Sequence, residues 1–213
     1  LVMPVHPKHY FDVAHTYPLS RQMFLRADLQ RMLASDVPLT NPVFRWLVAE
    51  LAPGKKAFGL PFLSQVSLAE MRTYMGHTLL RDADQFSMAH ALEVRVPFLD
   101  HRLVAAALAS PDAQKFPTSP KRLLVEALDG LLPDDVVNRP KMGFVLPWES
   151  WLRGELKEVC DAGLQSLKDR AWVQSDAIAD MERSFHAGET TWSWSRVWSL
   201  AVLGGYLDRH GLE

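Results

Sequence analysis

RDADQFSMAHALEVRVPFLDHR, residues 81–102, is the stretch whose reading decides the fold. It sets Arg81, Asp82, Asp84, Glu93 and Arg95 among the apolar Phe86, Met88, Ala89, Ala91 and Leu92. An ordinary surface helix segregates charge to one face and ends on glycine or a polar run. Here charged and apolar side chains alternate too closely for that, so part of the charge is expected at or near a buried wall. A buried charge is costly unless paired, which makes the cluster a site candidate. Val96-Pro97-Phe98-Leu99 then reads as extended, and Pro97 argues against a central strand. Asp100 suits the N-cap of a helix from His101 to Ser110.

Outward from this stretch the pattern is helical. Upstream, Ser67 followed by Glu70 reads as a capping box. It opens a helix with Leu68, Met71, Tyr74, Met75, Leu79 and Leu80 on its apolar face, continuing through 81–93 after a kink. Val43 to Leu51 is a short helix closed by Pro53-Gly54. From Leu19 to Ser35, Met23, Phe24, Leu25, Leu29, Met32 and Leu33 form a helical stripe. Residues 1–18, with Pro4, Pro7 and Pro18, read as an irregular arm. Downstream, Ser119-Pro120 places a cap and a first-turn proline before a helix through Leu128. Residues 139–147 read as a loop and Pro147 to Leu152 as the start of a helix. Further helices are expected near 156–169, 175–187 and 191–209. The fold class is mainly α: an irregular arm over 1–18 and one helical domain over 19–213.

Composition narrows the function. Apolar content of 48% suits a globular core, and a net charge of −2 gives no basic field to hold nucleic acid. The apolar runs are too short to span a bilayer, so no membrane partner is expected. Cys160 is the single cysteine, which excludes an intramolecular disulfide framework and a zinc-ribbon site. It reads as a small buried hydrophobe in a reducing, cytoplasmic setting. His90 and His101 lack a third ligand at suitable spacing, and His6, His9 and His15 are loosely spaced, so no metal site is expected. Trp192, Trp194 and Trp198 read as core packing or an inter-domain face.

Residues 79–103 and 121–144 resemble the C-terminal part of the glutamine-hydrolysing asparagine synthase family. The first carries the S-M-A-x-x-x-E-x-R-x-P-F-L-D pattern at Ser87, Met88, Ala89, Glu93, Arg95, Pro97, Phe98, Leu99 and Asp100. The second has a basic helix start at Lys121, with Val125 where the family often has a basic residue. It continues into an R-x-K-x-G-F loop at Arg139, Lys141, Gly143 and Phe144, followed by Pro147, Trp151 and Leu152. The resemblance covers roughly 61–152 well.

The resemblance implies the helical C-terminal portion of a PP-loop (adenine nucleotide alpha hydrolase-like) synthase domain, lacking most of its parallel sheet. Neither the S-G-G-x-D-S pyrophosphate loop nor the S-G-x-G-x-D-E segment of that family occurs in this chain, and the N-terminal glutaminase cysteine is also absent. The partners implied are the nucleotide-binding and glutaminase parts of the same polypeptide. A homodimer is a further expectation, because the Phe98-Leu99 wall would otherwise stand exposed. The whole protein would use ATP and Mg²⁺ to activate a carboxylate as an acyl-adenylate for attack by ammonia. The fragment alone is expected to be inactive and to bind neither.

Charge develops on pyrophosphate and on the adenylate during that step, and a fixed cation answers it. By resemblance Lys141 is that catalytic cation. Arg139 and Gly143 would be cofactor-binding: they pin its loop, and Gly143 would let the backbone turn tightly beside the ligand. Lys121, in the first turn of its helix, would face pyrophosphate or else be a solvated lysine. Asp82 and Asp84 would bind Mg²⁺ with the phosphates, or be surface charge. Glu93 and Arg95 would form a buried ion pair, the preferred reading, or line the acyl-adenylate pocket. Asp100 is preferred as a helix cap over a ligand contact. The R-D-A-D form at 81–84 leaves acids other than aspartate open, since family relatives close lactams or amidate sugar acids. The competing function is a non-catalytic helical module that binds a protein partner.

Overall fold

The computed structural model describes residues 13–51, 59–115, 121–140, 142–143 and 145–213. Among them the chain is mainly helical with no strand, and the sole β feature is an isolated antiparallel bridge between Leu33 and Val173. Contacts divide the chain into two compact units: Leu1–Arg21 with Asn41–Lys141, and Gln22–Thr40 with Met142–Glu213. The sequence pattern alone had suggested one helical domain.

In the first unit, α1 (Val13–Ser20) forms where an irregular arm was expected. Val13, Ala14, Tyr17 and Pro18 recur at one-turn spacing and are buried, and that burial outweighs the cost of a proline in a short helix. They pack with Leu47 and Leu51 of α3 (Pro42–Leu51) and Ala69 of α4 (Phe62–Glu70). The helix expected to open at Ser67 opens five residues earlier. Ser67 instead returns its hydroxyl to the Leu63 carbonyl at 2.9 Å. The free Leu63 N–H is met by the Asp112 carboxylate at 3.1 and 3.2 Å, a cap supplied from distant sequence.

The expected kink is a π-helical segment, Met71–Leu79, running straight into α5 (Leu80–Met88). Gly76 serves it, because a Cβ there would lie 2.7 Å from the Met71 carbonyl oxygen. A 3₁₀ turn (Pro97–Leu99) follows, then α6 (His101–Ala109), α7 (Asp112–Lys115), α8 (Arg122–Ala127) and α9 (Asp134–Val137). None of α5 to α9 contains a buried residue. The Ser119-Pro120 cap lies outside the described residues.

The second unit has its own core. It comprises α2 (Arg26–Met32), α10 (Trp148–Arg153), α11 (Lys157–Lys168), α12 (Ser175–His186) and α13 (Trp194–His210). The stripe expected from 19 to 35 is broken by a turn before α2, where the Asp28 carboxylate accepts from the Leu25 N–H at 3.1 Å. Leu152, Cys160, Leu164, Ile178, Met181, Phe185 and Val197 are fully or almost fully buried together. Trp192, Trp194 and Trp198 pack against that cluster, as the core-packing reading expects. Helices α11 and α13 cross at glycines: a Cβ on Gly163 would lie 2.1 Å from the Ala201 oxygen, and one on Gly204 would lie 1.9 Å from the Gly163 oxygen.

Candidate functional site

The residues of the 79–103 motif lie on the outside of the first unit, whereas the downstream Pro147, Trp151 and Leu152 belong to the second. Asp82 and Asp84 sit on α5, which buries nothing, and both side chains are exposed. The buried wall expected around this helix is not built by the described residues. Phe86 of the same helix is 71% exposed. The helix ends in a Schellman-type closure, with Leu92 N–H donating to the Ser87 carbonyl at 2.9 Å and Ala91 N–H to Met88 at 3.0 Å. Ala91 takes the left-handed position, φ 55°, where glycine is the usual occupant, so this turn carries backbone strain.

Glu93 and Arg95 do pair, with 2.6 Å between Oε1 and Nη2, but their side chains are 69% and 82% exposed. This corrects the expected buried pair. The i, i+2 spacing puts both on one side as read, yet nothing among the described residues covers that side. Asp100 caps α6 as expected, accepting from the Arg102 N–H at 2.9 Å. The Arg102 guanidinium also forks onto it, with Nε at 3.0 Å and Nη2 at 2.9 Å. That hydrogen bonding holds the Asp100 carboxyl below its ordinary range and raises Arg102.

Lys121 is not in the first turn of a helix. It is the N-cap residue of the short α8 in a left-handed conformation, φ 62°, and is exposed. Arg139 is exposed, with its Nη2 3.8 Å from Asp135 Oδ2. Gly143 has a negative or extended φ and open space where a Cβ would go, so no tight turn demands glycine there. Lys141 and Phe144 lie outside the described residues. Among the described residues, no hydrogen bond or ion pair joins Asp84, Asp100, Lys121 or Arg139 to another member of the predicted set.

The exit of that loop is well anchored. Pro147 (φ −79°, ψ 54°) sits in an inverse γ-turn, with Trp148 N–H donating to Leu146 at 2.8 Å. The Trp148 ring stacks on Trp194 at 5.4 Å and 8° between planes. Arg153 fastens the end of α10, donating from Nε to the Phe185 carbonyl at 3.0 Å and lying over the Phe185 ring.

Sequence reading missed a second charged group, in the second unit. His186 Nε2 donates to Asp161 Oδ1 at 2.9 Å. Lys157 Nζ holds the other Asp161 oxygen, and Lys168 Nζ holds Glu182 Oε2 at 2.8 Å. Burial pushes the Asp161 carboxyl up, but the Lys157 and His186 hydrogen bonds outweigh it and hold it below its ordinary value. The i, i+4 spacings Lys157/Asp161 and Glu182/His186 were visible in the sequence, but their convergence across two helices was not.

The chain is mainly helical, with an exposed, charge-laced motif surface on one unit and a self-contained core in the other. The family model described as Asparagine synthase matches residues 7–207, and the chain belongs to the asparagine synthase family. It is similar to glutamine-hydrolysing asparagine synthetase 1 of Bacillus subtilis (strain 168), 29% identical over 141 residues, covering 66% of this chain and 22% of the relative. Asparagine synthetase 3 of the same organism is 36% identical over 118 residues, 50% of this chain and 18% of that protein. The Cricetulus griseus asparagine synthetase is 42% identical over 66 residues, 29% of this chain and 12% of its own length. The chain thus spans about a fifth or less of the relatives it matches. No solved structure matches it. No helix among the described residues is long and apolar enough to cross a membrane.

Proposed function

We propose that this chain supplies the helical C-terminal part of the PP-loop synthase domain of an ATP-dependent amide ligase. In that reading the whole protein activates a carboxylate, of aspartate or a related acid, as an acyl-adenylate that ammonia attacks. The carrying observation is the family match across 7–207 with the motif residues standing in sequence order. The unburied motif surface agrees with it. Phe86, Met88, Leu92, Val94, Val96 and Phe98 are all more than 45% exposed in a continuous run of chain. Such side chains are covered in a finished enzyme domain, and the nucleotide-binding part of the same polypeptide is the covering surface proposed.

Within that assembly Lys141 is the cation for the charge that develops on the phosphates, and Lys121 and Arg139 are further basic groups for them. Mg²⁺, when bound, neutralises phosphate oxygens. The exposed carboxylates Asp82 and Asp84 offer the hard oxygen donors it takes. Arg102 holds Asp100 as the α6 cap, which gives Asp100 a structural place beside the motif surface. The chain contains no S-G-G-x-D-S string, so by itself it is proposed to be inactive.

The test is ATP–pyrophosphate exchange, with Mg²⁺ and aspartate, on the full open reading frame that encodes this chain and on the 213-residue chain alongside it. Exchange in the first only is expected. Lys141→Ala in the full frame should lower exchange by orders of magnitude with an unchanged melting temperature, and near-normal exchange would remove Lys141 from the chemistry. The same exposed run favours one second reading, a helical module that binds a protein partner. Absence of exchange with any carboxylate tried would leave that reading standing.

A further inference from the structure

We propose that Asp161, Glu182 and His186 form an interhelical binding site for a divalent transition-metal ion. Asp161 projects from α11, while Glu182 and His186 lie one turn apart on α12. One donor atom from each falls within 4.8 Å of the other two, and all three residues are partly buried. The site lies in the second unit, on two helices that carry none of the synthase motif residues.

The donor set is one imidazole nitrogen and two carboxylate oxygens. That combination suits zinc, cobalt or manganese rather than calcium or magnesium, which favour all-oxygen shells. Bonds of about 2.0–2.2 Å place tetrahedral donors roughly 3.4 Å apart. The His186–Asp161 edge, now 2.9 Å, opens by about half an ångström. The widest edge, which lies within 4.8 Å, closes by at most about 1.4 Å. Side-chain rotation covers both, with no helix moved. Three protein ligands leave a coordination position to solvent.

At present the converging carboxylates draw their positive charge from two lysines, Lys157 on Asp161 and Lys168 on Glu182. The lysines are therefore competitors of the metal. Lys157, 46% exposed, leaves at small cost, whereas Lys168 is 15% exposed and holds more firmly. The Cys160 thiol is buried in the core of the second unit and is not among the converging donors. A bound ion would staple α11 to α12.

The experiment titrates the metal-free 213-residue chain with Zn²⁺ while following thermal unfolding, and with Co²⁺ while following visible absorption. At a hundredfold excess over Kd, a Tm rise of about 5–10 °C is expected, together with cobalt bands of a low-coordinate site. His186→Gln keeps a hydrogen bond to Asp161 but removes the imidazole donor, and both signals should vanish. Lys157→Gln removes a competitor and should bind Zn²⁺ more tightly than the wild type. No Tm shift and no cobalt band in the wild type overturns the proposal. So does full retention of both in His186→Gln, which would put the ion elsewhere. Should His186→Gln not fold, Lys157→Gln decides: unchanged Zn²⁺ affinity there overturns the proposal too.

Discussion

The glycine crossing of α11 and α13 sets a sharp test of the second unit. Gly163→Ala puts a methyl 2.1 Å from the Ala201 carbonyl oxygen and 2.8 and 2.9 Å from its carbon and Cα. All three are backbone atoms, so no rotamer relieves the clash. Restoring an ordinary 3.4 Å contact parts the helices by about 1.3 Å. A gap of that size forfeits about half or more of each dispersion contact around Leu164, Leu167, Val197 and Ala201, all buried. Overpacking of this kind costs about 3 kcal/mol or more at an unyielding site. Helix propensity returns about 1 kcal/mol for replacing glycine by alanine. The net expectation is a loss of about 2 kcal/mol, or a Tm fall of about 4–8 °C.

Gly205→Ala, on the partner helix α13 and with nothing within 4 Å of its Cβ, isolates the propensity term and should stabilise by about 0.5–1 kcal/mol. Gly204→Ala repeats the clash at 1.9 Å from the Gly163 oxygen. Because both clashes share one crossing, the double variant should lose less than the two singles added together. Urea unfolding followed by tryptophan fluorescence is the assay, since every tryptophan except Trp46 lies in the second unit. If Gly163→Ala stabilises the protein as Gly205→Ala does, the close approach of the two helices is refuted.

Three further outcomes follow from named groups. Glu93→Ala should change stability by no more than about 0.5 kcal/mol, because its pair with Arg95 is solvated; a loss near 3 kcal/mol in urea unfolding would show that the pair is buried. The folded Asp161 carboxyl titrates below its ordinary value, so its contribution is fully present above about pH 4 and is lost as pH falls through the lower folded value. Thermal melts down an acid series should show that slope in the wild type and a smaller one in Asp161→Asn. Burial raises the Cys160 thiol from 9.0 to about 11, so the fold disfavours the thiolate. Stability should drop as pH rises from about 9 to about 11, by roughly 2–3 kcal/mol in all, and native-state alkylation should be slow. A native thiol that alkylates as fast as a free one would contradict its burial.

How far the sequence could be read depended on where each cue resides. The helix from Pro42, the Asp100 cap and the four helices after Pro147 were legible because their signals are local: a cap, a proline, a 3.6-residue stripe. The start of α4 was misread because Ser67 and Glu70 imitate a capping box. The true cap for Leu63 is Asp112, which no local pattern ties to it. α1 was hidden because Pro18, with Pro4 and Pro7 upstream in the sequence, speaks against a helix more loudly than its four buried positions speak for one. At the motif, the pairing of Glu93 with Arg95 was legible from an i, i+2 spacing, but their exposure was not, since burial depends on what lies opposite.

The run from Arg81 to Asp100 and the second unit's core belong to different units, for a physical reason. The second unit closes its own core around Leu152, Leu164, Ile178, Met181 and Phe185, and its helices show plain amphipathic stripes with little else to read. In the first unit, burial is confined to α1, α3 and α4, while α5 to α9 leave their apolar side chains exposed or half-exposed. Fully burying a side chain such as Phe86 or Phe98 is worth about 1.5–3 kcal/mol, so a run of them facing solvent is stable only as one face of a larger contact. Residues chosen to meet an outside surface and a ligand need not follow their own helix's period. This is why charge and apolar groups interleave so closely from Arg81 to Asp100. The interleaving that failed to predict burial within this chain is what the proposed ligase reading requires of a surface completed by the nucleotide-binding part.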